Sequence, residues 1–115
     1  MEQLNRIEIR GNVGNILVNT VGGKRVAHIS VATSYAYKGS NGEANIDTTW
    51  HNVTAWEGSK GIADFDQIKV GFPVYVTGRV RMQRYMSKEG VEKTGYDIIA
   101  SQVETLDDKV STQIG

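Results

Sequence analysis

Apolar and polar residues alternate over most of this chain, and the period is two. Ile7, Ile9 and Val13 share one parity while Arg6, Glu8 and Arg10 take the other, which predicts a half-buried first strand. Gly11 and Gly14 mark a bend or bulge in it. Ile16-Leu17-Val18 and the run from Arg25 to Tyr37 flank Val21-Gly22-Gly23-Lys24, and a Gly-Gly pair between two apolar runs signals a hairpin turn. The polar connection Lys38 to Glu43, expected to be mobile, leads to a third strand from about Asp47 to Glu57. Between Ser59 and Lys69, Ile62, Phe65 and Ile68 recur every three positions beside Ala63, so one short helix is expected, ended by Gly71 and Pro73. Val74, Val76, Val80 and Met82 then alternate with Tyr75, Thr77, Arg79, Arg81, Gln83 and Tyr85, giving a fourth strand whose core face backs onto a basic, aromatic face. A turn near Ser87 to Gly90 precedes a last strand, roughly Thr94 to Glu104.

Five strands with one short helix between the third and the fourth is the order of an all-β, five-stranded Greek-key barrel of the OB type. Such barrels bind oligonucleotides across the face of strands two and three and the adjoining loops. The expected barrel occupies residues 1–106, with 107–115 a short C-terminal extension expected to be disordered.

The third strand carries the most telling chemistry. Trp50 and Trp56 have the same parity, so in an extended strand both project from one face, roughly 20 Å apart at about 3.3 Å per residue. Val53 and Ala55 take the opposite, core-facing side. An indole on the face away from the core is a large exposed apolar surface, which marks a binding site. Tyr85 closes the fourth strand on the face of Arg79 and Arg81, with Arg84 beside it. Tyr37 closes the second strand, but its parity is that of Ile29 and Val31, so a bulge or coil is needed to turn it outward. Together these residues form a platform on which unpaired bases can stack, with arginines for the phosphates.

Composition adjusts this picture without replacing it. The chain has 115 residues, enough for one domain with a core and too few for two. With 13 basic and 13 acidic residues it is formally neutral, so overall charge gives no argument for nucleic acid. Distribution does: from Gln67 through Lys88 there is no carboxylate, while Lys69, Arg79, Arg81, Arg84 and Lys88 fall there. Lys24, Arg25, Lys38 and Lys88 extend the basic track from turns. The absence of cysteine removes disulfides, thiol catalysis and sulfur-ligated zinc, and points to an intracellular protein. A charged N-terminus and the lack of a long apolar run predict neither a signal peptide nor a membrane span. With His28 and His51 as the only imidazoles no metal site or cofactor is expected, and Asp64 and Asp66 lack the partners a metal-dependent nuclease would need. No nucleophile with a matching base occurs, so no catalytic residue is assigned.

Four segments resemble the bacterial single-stranded-DNA-binding proteins: Asn5 to Gly14, Ser30 to Ser34, Thr49 to Val53 and Val74 to Arg81. The resemblance runs over nearly the whole chain, in order. It implies base stacking at the positions of Tyr37, Trp50, Trp56 and Tyr85, two of them tyrosines where better-known members often have tryptophan. It also implies a homotetramer with His51 at a subunit interface, and roles in replication, repair and recombination on single-stranded DNA in the bacterial cytoplasm, at the nucleoid. Many members end in an acidic-tipped tail that recruits replication and repair proteins; this chain stops at Ser111 to Gly115, so such partners are expected only if a tail exists beyond it. A primosome-type or protein-interaction OB module, and a binder of single-stranded RNA, are the alternatives.

Overall fold

The computed structural model describes residues 2–106. The expected extension at 107–115 lies outside the described residues. Five strands, β1 (Ile7–Val21), β2 (Lys24–Lys38), β3 (Ala44–Trp56), β4 (Pro73–Met86) and β5 (Glu92–Thr105), close into a barrel in the order β1-β2-β3-β5-β4. This is the all-β, OB-type barrel expected from the alternation.

Closure rests on the length and bend of β1. Its first half, Ile7 to Asn12, pairs with β4, and from Asn12 onward it pairs with β2. The register slips between Val13 and Asn15, leaving Gly14 as a bulge. The slip reverses the parity: Ile9 and Val13 are buried, yet after the bulge it is Ile16 that packs on the core, and Leu17 is exposed. The β1–β2 hairpin turns through Gly22 and Gly23 at φ 58° and 85°, a left-handed pair that side chains with a Cβ resist. A short parallel contact, Val53 with Ile98 and Thr54 with Ile99, seals the barrel between β3 and β5.

The core inside is small and aliphatic. Val13, Ile29, Val31, Val53, Val74, Val76 and Val103 are its largest fully buried side chains, with Ala27 and Ala55 between them. Phe65 and Ile68 plug one end.

The connection before β4 differs from expectation. The three-residue period was right about which side chains are apolar, since Phe65 and Ile68 are buried and Ile62 packs on the core. The helix it suggested is only a single 3-10 turn, Phe65–Gln67, capped by Asp64 accepting from the Asp66 amide at 3.1 Å. Gly61 takes φ 96°, and Ile62 forms an isolated parallel bridge to Val103. The Ala63 amide donates to the Val103 carbonyl at 2.9 Å. Backbone groups already paired with β5 cannot also make the i to i−4 bonds of a helix.

Strands β2, β3, β4 and β5 are longer than the barrel needs. From Ser34 to Lys38 and from Ala44 to Trp50 every residue is exposed, so the β2–β3 hairpin projects as a two-stranded arm. Its tip is closed by Gly39 donating to Glu43 at 2.8 Å and Gly42 to Gly39 at 3.0 Å. The β4–β5 hairpin forms a second arm from Met82 outward. Met82, placed on the core face by its parity, is therefore exposed: it has the core-side direction but lies past the end of the core.

Ile29 reports on this core. Ile29→Ala should destabilise the barrel by about 2–5 kcal/mol in urea unfolding, whereas Leu17→Ala, exposed beyond the bulge, should cost well under 1 kcal/mol. Equal losses at the two positions would contradict the parity reversal at Gly14.

Candidate nucleic-acid interface

Trp50 and Trp56 both stand on the outer face of β3, 60% and 38% exposed, as their shared parity requires. Their β2 partners, Ala32 and Val26, place the same outer face on β2. Across from Trp56, the pairing of Arg81 with Asp97, Gln83 with Gly95 and Tyr85 with Lys93 sets Arg81, Gln83 and Tyr85 on one face of the second arm. That face and the outer face of β2–β3 enclose a groove of about 700 Å³ lined by Trp56, Arg81 and Tyr85, with His28, Asn52 and Gln83 between them.

Two of the aromatic rings rest on glycines. A Cβ built on Gly14 would run into the six-membered ring of Trp50, so the indole lies across Ala32 and directly over the β1 bulge. A Cβ on Gly95 would sit 3.4 Å from the Tyr85 ring. Each ring thus rests against a glycine of a neighbouring strand and is more than half exposed, as a stacking platform needs. Gly14 was legible as a bulge, but its role as a seat needed the neighbouring strand.

The end of β3 just past Trp56 is clamped to β2. Arg25 donates to Glu57 through Nε at 2.8 Å and Nη2 at 2.7 Å, and the Glu57 amide donates to the Arg25 carbonyl at 3.0 Å. The Arg25 guanidinium also lies 5.5 Å from the Phe65 ring centroid. Hydrogen bonding to Arg25 holds the Glu57 carboxyl below its usual range, and the same bond raises Arg25. Arg25 is therefore occupied as a clamp rather than free on a basic track.

The arginines are not equivalent. Arg81 forms a two-point ion pair with Asp97, Nη2 to Oδ2 at 3.0 Å and Nε to Oδ1 at 3.3 Å, and Thr54 Oγ1 donates to the same carboxylate at 3.3 Å. Arg84 has the opposite parity, on the reverse of the arm from Tyr85, and approaches Glu92 at 3.8 Å. The stretch without carboxylates in sequence thus acquires two from β5. Arg79, Lys38 and Lys88 are exposed and form no ion pair among the described residues. Lys38 shares the Trp50 face of the first arm, and Lys88 lies in the Ser87–Gly90 turn at the tip of the second.

Tyr37 is exposed without the bulge expected for it. The β2–β3 register is unbroken from Val26–Trp56 to Lys38–Ala44, and Tyr37 keeps the core-side parity. It is 42% exposed because the barrel has ended before it. Tyr37 and Trp50 consequently emerge from opposite faces of the arm. His51, on the core-side face, is half-buried with Nε2 2.9 Å from Thr33 Oγ1.

Residues 4–106 match the model of the single-strand binding protein family. The chain belongs to that family. A single-stranded DNA-binding protein from Neisseria meningitidis serogroup A is 38% identical over 84 residues, 73% of this chain and 48% of the relative. One from Xanthomonas axonopodis is 31% identical over 105 residues, 90% of this chain and 58% of the relative. The chain thus spans between about half and three fifths of these relatives' length. Among solved structures, a Plasmodium falciparum single-strand binding protein in complex with single-stranded DNA superposes with a TM-score of 0.77 at 26% identity, covering 93% of this chain and 98% of that one. A Thermus aquaticus single-stranded DNA-binding protein shares the fold, with a TM-score of 0.72 at 20% identity, covering 92% of this chain and 52% of that one. Among the described residues no helix is long and apolar enough to cross a membrane, and no group of three or more His, Asp or Glu is placed to hold a metal ion.

The seat under Trp50 can be checked optically. With Trp56→Phe leaving Trp50 as the single indole, Gly14→Ala should shift its emission maximum and weaken oligothymidylate binding, at most by the roughly 1–3 kcal/mol of losing a stacked base. An unmoved spectrum with unchanged affinity would show that the ring does not depend on Gly14.

Proposed function

We propose that this protein binds and protects single-stranded DNA with little sequence preference, by stacking bases on Trp50, Trp56, Tyr85 and Tyr37. The observation that carries the reading is the pair of indoles held outward on β3, with Tyr85 facing one of them across the groove. Stacking uses the faces of the bases, which a duplex keeps covered, so preference for unpaired strands follows without reading any base edge. The family membership and the DNA-bound relative support this reading. In the groove the carboxylate that Thr54 Oγ1 meets, Asp97, is held in a two-point pair by Arg81 and so is a poor base, and the chain is read as a binder without catalysis, needing no metal or cofactor.

Phosphate contacts fall to Arg79, Arg81, Arg84, Lys38 and Lys88. Arg79 and the two lysines are free to make them at once, while Arg81 must loosen its hold on Asp97 and Arg84 serves a strand passing behind the second arm. Replication, repair and recombination are the processes that expose such strands, in the bacterial cytoplasm and nucleoid. One barrel with four stacking residues holds few nucleotides, so assembly into a homotetramer, with His51 at a subunit contact, raises affinity through effective concentration. Recruitment of replication and repair proteins belongs to an acidic tail, where one follows the barrel.

Saturating oligothymidylate should quench most of the tryptophan emission, and Trp50→Ala or Trp56→Ala should each weaken binding by about 1–3 kcal/mol without unfolding the barrel. Equal affinity for single-stranded RNA would broaden the reading, and failure to quench with either polymer would favour a protein-interaction module.

Salt dependence tests the cations. Log affinity should fall by about 0.7 per neutralised phosphate for each decade of salt, and Arg79→Ala should flatten that slope by about one such unit. Asp97→Asn, which can still accept from Thr54 but no longer neutralises Arg81, should steepen it and tighten binding. An unchanged slope in both variants would remove these arginines from the phosphate path.

A further inference from the structure

Tyr35 lies outside the outer-face groove, and at 70% it is more exposed than any other tyrosine or tryptophan that the structure places at the surface. It lies two residues before Tyr37 in β2, on the same face, and the two rings stack with centroids 6.4 Å apart and planes inclined by 22°. That separation is at the wide end of direct ring contact, so each ring covers little of the other. Their partners across the arm, Asp47 for Tyr35 and Asn45 for Tyr37, are small and polar and cover them no further. Two large apolar rings left in water at the end of a two-stranded arm do nothing for the core, which stops at Val31 and the His51–Thr33 contact.

We propose that Tyr35 is a base-stacking residue and that, with Tyr37, it makes a second platform on the reverse face of the β2–β3 arm from Trp50. The inference rests on the single-stranded-DNA reading and extends it by a residue and a path. Beyond Ala32, β2 has β3 on one side only, so the edge of the arm is free. Two strands lie about 4.8 Å apart, and a single strand leaving Trp50 can pass round so narrow a ribbon to reach its other face. Lys38, on the Trp50 face near the tip, is placed to hold a phosphate at the crossing. Asp47 beside Tyr35 makes this second platform unsuited to phosphates and leaves stacking as its means of attraction.

The test compares wild type with Tyr35→Ala and Tyr35→Phe, using a long oligothymidylate, fluorescence anisotropy for affinity and tryptophan emission for the outer face. Tyr35→Ala should weaken binding about 5-fold or more, with the tryptophan quenching at saturation and the thermal midpoint both unchanged. Tyr35→Phe, which keeps the ring, should match wild type. Wild-type affinity in Tyr35→Ala would overturn the proposal, as would an equal loss in Tyr35→Phe, which would assign the effect to the hydroxyl. If wild type itself neither binds nor quenches, the functional reading falls first and takes this platform with it.

Discussion

Everything at the surface of this protein depends on how β1 closes the barrel. One strand must serve two sheet edges, β4 with its first half and β2 with its second, and it makes the change of direction at the Gly14 bulge. The extra residue keeps Val13 and Ile16 both turned inward, so the core survives the bend. The same absence of a side chain at Gly14 leaves the hollow into which the Trp50 indole is laid. A single glycine therefore joins the stability of the barrel to the posture of a candidate base-stacking ring.

Strands that outrun their core account for the second layer of design. The aliphatic interior ends near Val31 and Val53, but β2 and β3 continue for several residues with both faces in water. An arm of this kind gains nothing from burial, and its persistence follows from the unbroken ladder of backbone hydrogen bonds and a closed turn. Aromatic side chains placed there are presented on both faces of a ribbon. That offers a nucleic-acid strand more π surface than a closed barrel of this size could display.

Charge plays a more restrained part than the arginine-rich fourth strand implies. Arg81 and Arg84 approach carboxylates on β5 and Arg25 one just past the end of β3, and these pairs are partly exposed, where they add little stability but do hold the side chains in place. A neutral protein with tethered cations carries no large non-specific field, so in the proposed function the preference for unpaired strands rests on stacking.

The linear sequence determined the strands, their turns, the outward parity of Trp50 and Trp56 and the inward parity of Val53 and Ala55, because a period of two is a local property of an extended chain. It also marked a bend or bulge at Gly11 and Gly14, which the structure places at Gly14 with Gly11 in regular register, and a turn at Gly22-Gly23, since these follow from the conformations a missing Cβ permits. Tertiary structure alone decided that Gly61 to Ala63 would bond to β5 and that Phe65 and Ile68 would join the core from a single 3-10 turn instead of a longer helix. It decided likewise that Tyr37 would be exposed without any bulge, and that Arg81 and Arg84 would meet Asp97 and Glu92. The reason is the same in each case: which backbone groups are already bonded, where the core ends and which carboxylate stands on the next strand depend on residues tens of positions away, and alternation along one strand carries no record of its neighbour.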